Sequence, residues 1–119
     1  MTNTPHNPAA PAPPTKVVST LTGDPDMTEL IEMFVDEIPE RMRLVSEHWE
    51  RRNFDDLRRI AHQLKGACGG YGFPTVGIAA GTLEACLADK PSRPDHTDLE
   101  SIANQVNELL DLCRRVRAA

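Results

Sequence analysis

The sequence predicts an all-α protein: an antiparallel up-down-up-down four-helix bundle with a short additional N-terminal helix. Three observations predict it. Apolar residues recur at three- and four-residue spacing in five stretches, as in amphipathic helices. No stretch alternates apolar and polar residues as a half-buried strand does. Proline and glycine separate the stretches and leave short connections, which favour antiparallel neighbours.

Residues 1–22 come first, with prolines at positions 5, 8, 11, 13 and 14. Such spacing forbids helix and sheet, so a disordered or PPII-like tail is expected, with the folded unit at 23–119. His6 lies in this tail and is read as incidental. Asp24-Pro25 is expected to start a short first helix, with Asp24 as N-cap and Pro25 at the first helical position. Its apolar side is Met27, Leu30, Ile31, Phe34, Val35 and Ile38. Pro39 should break or kink it. A second helix follows through Met42, Val45 and Trp49 to about Arg52, with Trp49 in the core and His48 on the surface.

Asn53 is the expected N-cap of the third helix, which runs to about Tyr71. Asp56 sits in its first turn, where the helix dipole favours negative charge. Gly69, Gly70 and Gly72 weaken its end, and Pro74 forces the next start. The fourth helix carries Val76, Ala79, Ala80, Leu83, Cys86 and Leu87 inward. Pro91 and Pro94 bracket a loop. The fifth helix, about Thr97 to Arg117, carries Leu99, Ile102, Val106, Leu109, Leu110, Cys113 and Val116.

Charge is unevenly spread along the 119 residues, whose net charge is −5. Asp24 to Glu50 holds nine acids against two arginines, while Arg51 to Lys65 holds five bases against two aspartates. The acidic total argues against non-specific nucleic-acid binding. The local basic cluster suits a single phosphoryl group better than a duplex. Cys68, Cys86 and Cys113 show no metal-binding spacing and fall on apolar faces, as buried free thiols do. His48, His62 and His96 lie on different elements, so no metal is expected. No apolar run is long enough to span a membrane, and there is no signal-peptide hydrophobic region.

The third helix holds the stretch with chemistry in it, Ile60-Ala61-His62-Gln63-Leu64-Lys65-Gly66-Ala67-Cys68-Gly69-Gly70-Tyr71-Gly72. Its apolar stripe is Leu57, Ile60, Ala61, Leu64, Ala67, Cys68 and Tyr71. At about 100° per residue His62 lies roughly 160° from the centre of that stripe, facing solvent. Gly66 and Gly69 share its face, and Lys65 lies on the flank between His62 and the core. A glycine inside a helix costs roughly 1 kcal/mol relative to alanine. Two beside one exposed histidine imply that something approaches the ring closely.

The pattern His62-x-Leu64-Lys65-Gly66, with Ala61 before it and Gly72 after five further residues, resembles the histidine-containing phosphotransfer (HPt) domain of two-component phosphorelays. The resemblance covers roughly residues 24–117. It implies that His62 is the phosphoacceptor, taking a phosphoryl group on Nε2 from the phospho-aspartate of one receiver domain and passing it to another. It also implies that Mg²⁺ and most of the electrostatic catalysis belong to the receiver. The expected partners are receiver domains of response regulators and hybrid histidine kinases, met by a cytoplasmic monomer with no cofactor. No Gly-rich phosphate loop appears, so the chain is not expected to be an enzyme with an ATP site of its own. Met1 followed by the tail favours a free-standing protein.

Such a histidine needs an oriented ring, a compensating cation and open access. Glu84, on the flank of the fourth helix, is the expected acceptor for the second ring N–H. HPt proteins that this chain resembles carry an acid or amide at the same offset, and the bland alternative is a boundary glutamate. Lys65, one turn beyond His62, is the expected cation for the roughly −1.5 to −2 charges of a phosphoryl group. Arg58 and Arg59 either add positive potential or form a solvated face. Gly66, Gly69, Gly77 and Gly81 are the expected docking surface, although Gly77 and Gly81 serve equally well to bring two helices close. Two other readings stay open: the phosphorylation module of a chemotaxis-type histidine kinase, and a non-catalytic helical adaptor.

Overall fold

The computed structural model describes residues 15–119. It holds four α-helices, α1 (Thr28–Glu50), α2 (Phe54–Tyr71), α3 (Pro74–Ala88) and α4 (His96–Arg114), and no strand among the described residues. Each helix packs on its chain neighbour and α1 also packs on α4, which closes the ring; α2 and α3 share the most extensive interface. The core is aliphatic, with Ile31, Val45, Leu57, Leu64, Leu83, Ile102 and Leu109 almost completely buried. Burying one such side chain stabilises the fold by about 1.5–3 kcal/mol.

The separate short N-terminal helix does not exist. Pro39 lies inside α1, a single 23-residue helix. The proline forfeits its N–H bond and costs about 3 kcal/mol. However, Ile31, Phe34, Ile38 and Val45 stay in phase across it and are all buried. Burial on both sides outweighs one lost bond, so the helix runs through. Asp24 is not its N-cap either. One carboxylate oxygen of Asp24 accepts from the backbone N–H of Asp26 at 2.9 Å, which closes a turn ahead of the helix. The N-cap position is Met27, which has no side-chain bond to give.

Asn53 does occupy the N-cap position of α2, but its side chain makes no capping bond. Its amide instead lies 3.4 Å from Nδ1 of His48. His48 is therefore drawn into the α1–α2 corner rather than left on the surface, with a side chain only 16% exposed. Trp49 packs at the edge of the core against Phe54, with ring centroids 6.5 Å apart. Pro74 sits in the first turn of α3, as expected. Helix α4 starts at His96, behind Asp95 in a reciprocal capping box with Asp98, and its regular part ends at Arg114.

Residues 15–22 were expected in the tail, yet they lie against the bundle. Val17 donates its N–H to the carbonyl of Arg115 at 2.7 Å and accepts from Arg117 at 2.9 Å, bridging to Val116. The Ser19 hydroxyl, 3% exposed, donates to the carbonyl of Tyr71 at 2.6 Å. Thr20 N–H bonds the Gly72 carbonyl at 2.8 Å. This strap ties the C-terminal end to the α2–α3 corner. Packing thus begins well before residue 23; the remainder of the expected tail, 1–14, lies outside the described residues.

Gly72 ends α2 in the left-handed region at φ 82°, where a glycine carries no steric cost. A Cβ there would also lie 2.5 Å from the Ser19 hydroxyl. Phe34 locks α1 onto the same corner, stacked on Tyr71 at 4.9 Å and tilted against Phe73 at 5.4 Å.

Candidate functional site

The α2–α3 interface sets the site. Gly77, Gly81 and Glu84 recur at four and three residues and so form one stripe of α3. Their partners on α2 are Cys68, Lys65 and His62 in turn. Gly77 is buried, and a Cβ there would meet Cβ of Cys68 at 3.2 Å. That glycine is what lets the two backbones approach, so it belongs to helix packing and not to an exposed docking surface. Gly81 is half-buried, and a Cβ there would meet no backbone atom but only the side chain of Lys65, with Cδ at 3.0 Å. Gly66 and Gly69 differ: nothing lies within 4 Å of a Cβ at either position, and both are exposed.

His62 projects into solvent with a side chain 66% exposed, against 20% for Glu84. Its Nδ1 is 2.7 Å from one carboxylate oxygen of Glu84. The other oxygen is 3.0 Å from Nζ of Lys65. The Lys65 ammonium first, and then the His62 ring, hold the Glu84 carboxyl below the ordinary glutamate range, against partial desolvation that pushes it up. At neutral pH Glu84 is therefore a carboxylate, which can only accept. The proton in the short contact must sit on Nδ1 of His62, so Nδ1–H donates to Glu84. In the neutral ring Nε2 then carries the free lone pair and points away from α3.

A shallow groove beside the ring is lined by Asp55, Arg58, Arg59, His62 and Glu84. Arg59 is paired at 2.7 Å with Asp56, whose carboxyl it holds below the usual range. Arg58 takes part in no ion pair among the described residues. The structure thus brings His62, Lys65, Glu84, Arg58 and Arg59 to one face. It adds Asp55, which sequence reasoning passed over although it stands two helical turns before His62. Lys65 is placed differently from the expectation of a waiting cation: at rest it is bound to Glu84.

Cys68 and Cys113 are buried and Cys86 is half-buried, all as free thiols. Among the described residues no group of three or more His, Cys, Asp or Glu side chains could hold a metal ion. Among the described residues no helix is long and apolar enough to cross a membrane. The family model described as Hpt domain matches residues 29–119. No curated protein and no solved structure gives a significant match.

Proposed function

The chain belongs to the Hpt domain family, whose members serve phosphotransfer in two-component signalling, and from that premise we propose that it is a phosphorelay intermediate with His62 as phosphoacceptor. One observation carries the reading: Glu84 holds Nδ1 of an exposed ring at 2.7 Å, which leaves Nε2 open to a partner. The Nε2 lone pair attacks the phosphorus of a receiver's aspartyl phosphate. An N–P bond forms as the P–O bond breaks, and the aspartate leaves as a carboxylate. The ring keeps its Nδ1 proton and becomes a phosphorylated imidazolium, whose positive charge faces Glu84. Attack on phosphorus by a second receiver's aspartate reverses these changes and frees the ring.

Lys65 exchanges Glu84 for the phosphoryl oxygens once they arrive, and Arg58 and Arg59 supply positive potential along the groove. Gly66 and Gly69 keep the face next to the ring free of side chains, so a receiver can seat over it. The partners are receiver domains of response regulators and hybrid histidine kinases, met by a cytoplasmic monomer. The bundle runs up-down-up-down; opposite numbering along α2 and α3 and the short connections support that arrangement.

The test is incubation with phosphorylated receivers, followed by mapping of the label. Acid-labile, base-stable label on His62 that a second receiver discharges is the expected result. Label on another residue, or none from any receiver of the source organism, would sink the reading. Label acquired only from ATP and a chemotaxis-type kinase would favour the kinase-substrate alternative.

A further inference from the structure

We propose that Gly81 is a positioning residue: lacking a Cβ, it seats the stem of Lys65 across α3, so that the ammonium holds one oxygen of Glu84 and turns the other onto His62. The effect on phosphotransfer rests on the phosphocarrier reading above, whereas the geometry stands by itself.

Lys65 and Glu84 are on different helices, so their 3.0 Å contact is not an ordinary pair along one helix. The lysine must cross the α2–α3 seam to make it. Its path passes over Gly81, where a Cβ would stand 3.0 Å from Cδ and 3.7 Å from Cγ of Lys65. A side chain there pushes the stem by at least a few tenths of an ångström. The neighbouring glycine has another duty. At Gly77 an added Cβ meets Cβ of Cys68 at 3.2 Å and the backbone carbonyl of Lys65 at 3.7 Å, both rigid atoms. Gly77 therefore spaces the helices, and Gly81 makes room for one side chain.

The consequence passes through the carboxylate. Its two oxygens are rigidly joined in one plane, so an ammonium on one fixes the direction of the other. The side chain of Lys65 is 49% exposed, so a stem pushed by a few tenths of an ångström yields toward water and draws the ammonium away from Glu84. Glu84 then keeps its place on α3 but loses one of the two groups that orient it.

The experiment compares the full chain with Gly81→Ala, Lys65→Met and, as a control, Gly70→Ala, whose added Cβ meets nothing within 4 Å. Carbon-13 NMR follows the titration of the Glu84 carboxyl, and nitrogen-15 NMR reports the tautomer of the His62 ring. Gly81→Ala is expected to raise the Glu84 midpoint in the same direction as Lys65→Met, and to mix the ring tautomers. Its melting temperature should match or exceed that of the parent, because alanine favours helix. Gly70→Ala should gain stability without moving Glu84. A Glu84 titration in Gly81→Ala that superimposes on the parent overturns the proposal. So does a fall in melting temperature, which would make Gly81 a helix spacer like Gly77. Phosphotransfer to Gly81→Ala should be several-fold slower, and an unchanged rate would break the link to function. A parent protein that accepts no label would defeat the phosphocarrier reading and leave the NMR result intact.

Discussion

Nδ1 of His62 and a carboxylate oxygen of Glu84 lie 2.7 Å apart across the seam between α2 and α3. The donor is two-thirds exposed and the acceptor four-fifths covered. One partner is thus available to another molecule, while the other is anchored in the protein. The contact sets which ring nitrogen faces outward.

His62→Gln should abolish phosphotransfer and leave the fold intact, because the side chain it replaces contributes nothing to the core. Label transfer and a thermal melt check both halves. Acid-labile label persisting on the variant would place the acceptor elsewhere.

Gly66→Gln should stabilise α2 by a few tenths to about 1 kcal/mol, since a Cβ there meets only open space. It should also slow transfer by obstructing the approach to His62. A wild-type rate would remove the steric role of this glycine.

Removing Glu84 and removing Lys65 should act at different stages. Glu84→Ala should release Nδ1, mix the ring tautomers and slow acceptance of the phosphoryl group. Lys65→Ala should mainly reduce the stability of the phosphorylated state. Each loss is that of one charge-assisted hydrogen bond at a solvent-washed site, so each should slow its own stage several-fold without abolishing it. Ring nitrogen-15 shifts and the lifetime of the phosphohistidine distinguish them. A ring spectrum unmoved in Glu84→Ala would reduce that residue to a boundary glutamate.

The Glu84 contacts also give stability a pH dependence of known sign. Its folded pKa is depressed below the ordinary 4.5. Its contribution is thus present in full above about pH 4.5 and is lost as pH falls through the lower, folded value. The melting temperatures of the parent and Glu84→Gln should differ near neutrality and converge in acid. A gap that stays constant down to strongly acidic pH would contradict the assignment.

Deleting residues 1–22 should destabilise the protein by about 2–4 kcal/mol, because it removes the buried Ser19 hydroxyl, its bond to Tyr71 and the Val17 pairing. Deleting only 1–14 should leave the melting temperature nearly unchanged. Equal melts for the two truncations would show that the strap contributes no stability.

Much of this fold is legible along the chain because helical periodicity is local. Leu57, Ile60, Ala61, Leu64 and Cys68 repeat at helical spacing, and each is buried. The same arithmetic turns His62 outward, and Pro74 and Gly72 mark boundaries by their own backbone restrictions. The strap carries no such mark. Val17, Ser19 and Thr20 follow a proline-rich stretch, and what holds them is hydrogen bonding to Tyr71, Gly72, Arg115 and Arg117, far away in sequence.

By itself the sequence determined five helical stripes, two of which the structure joins into α1, the outward face of His62 and the flank on which Glu84 stands, since each follows from a residue's angle about its own helix axis. Only the tertiary structure decided that α1 continues through Pro39, that Gly77 is buried against Cys68, and that Lys65 rests on Glu84 over Gly81. These depend on how closely two helices approach and on which side chain fills the space between them. That distance is set jointly by every contact along the seam, so no angle about a single helix axis contains it.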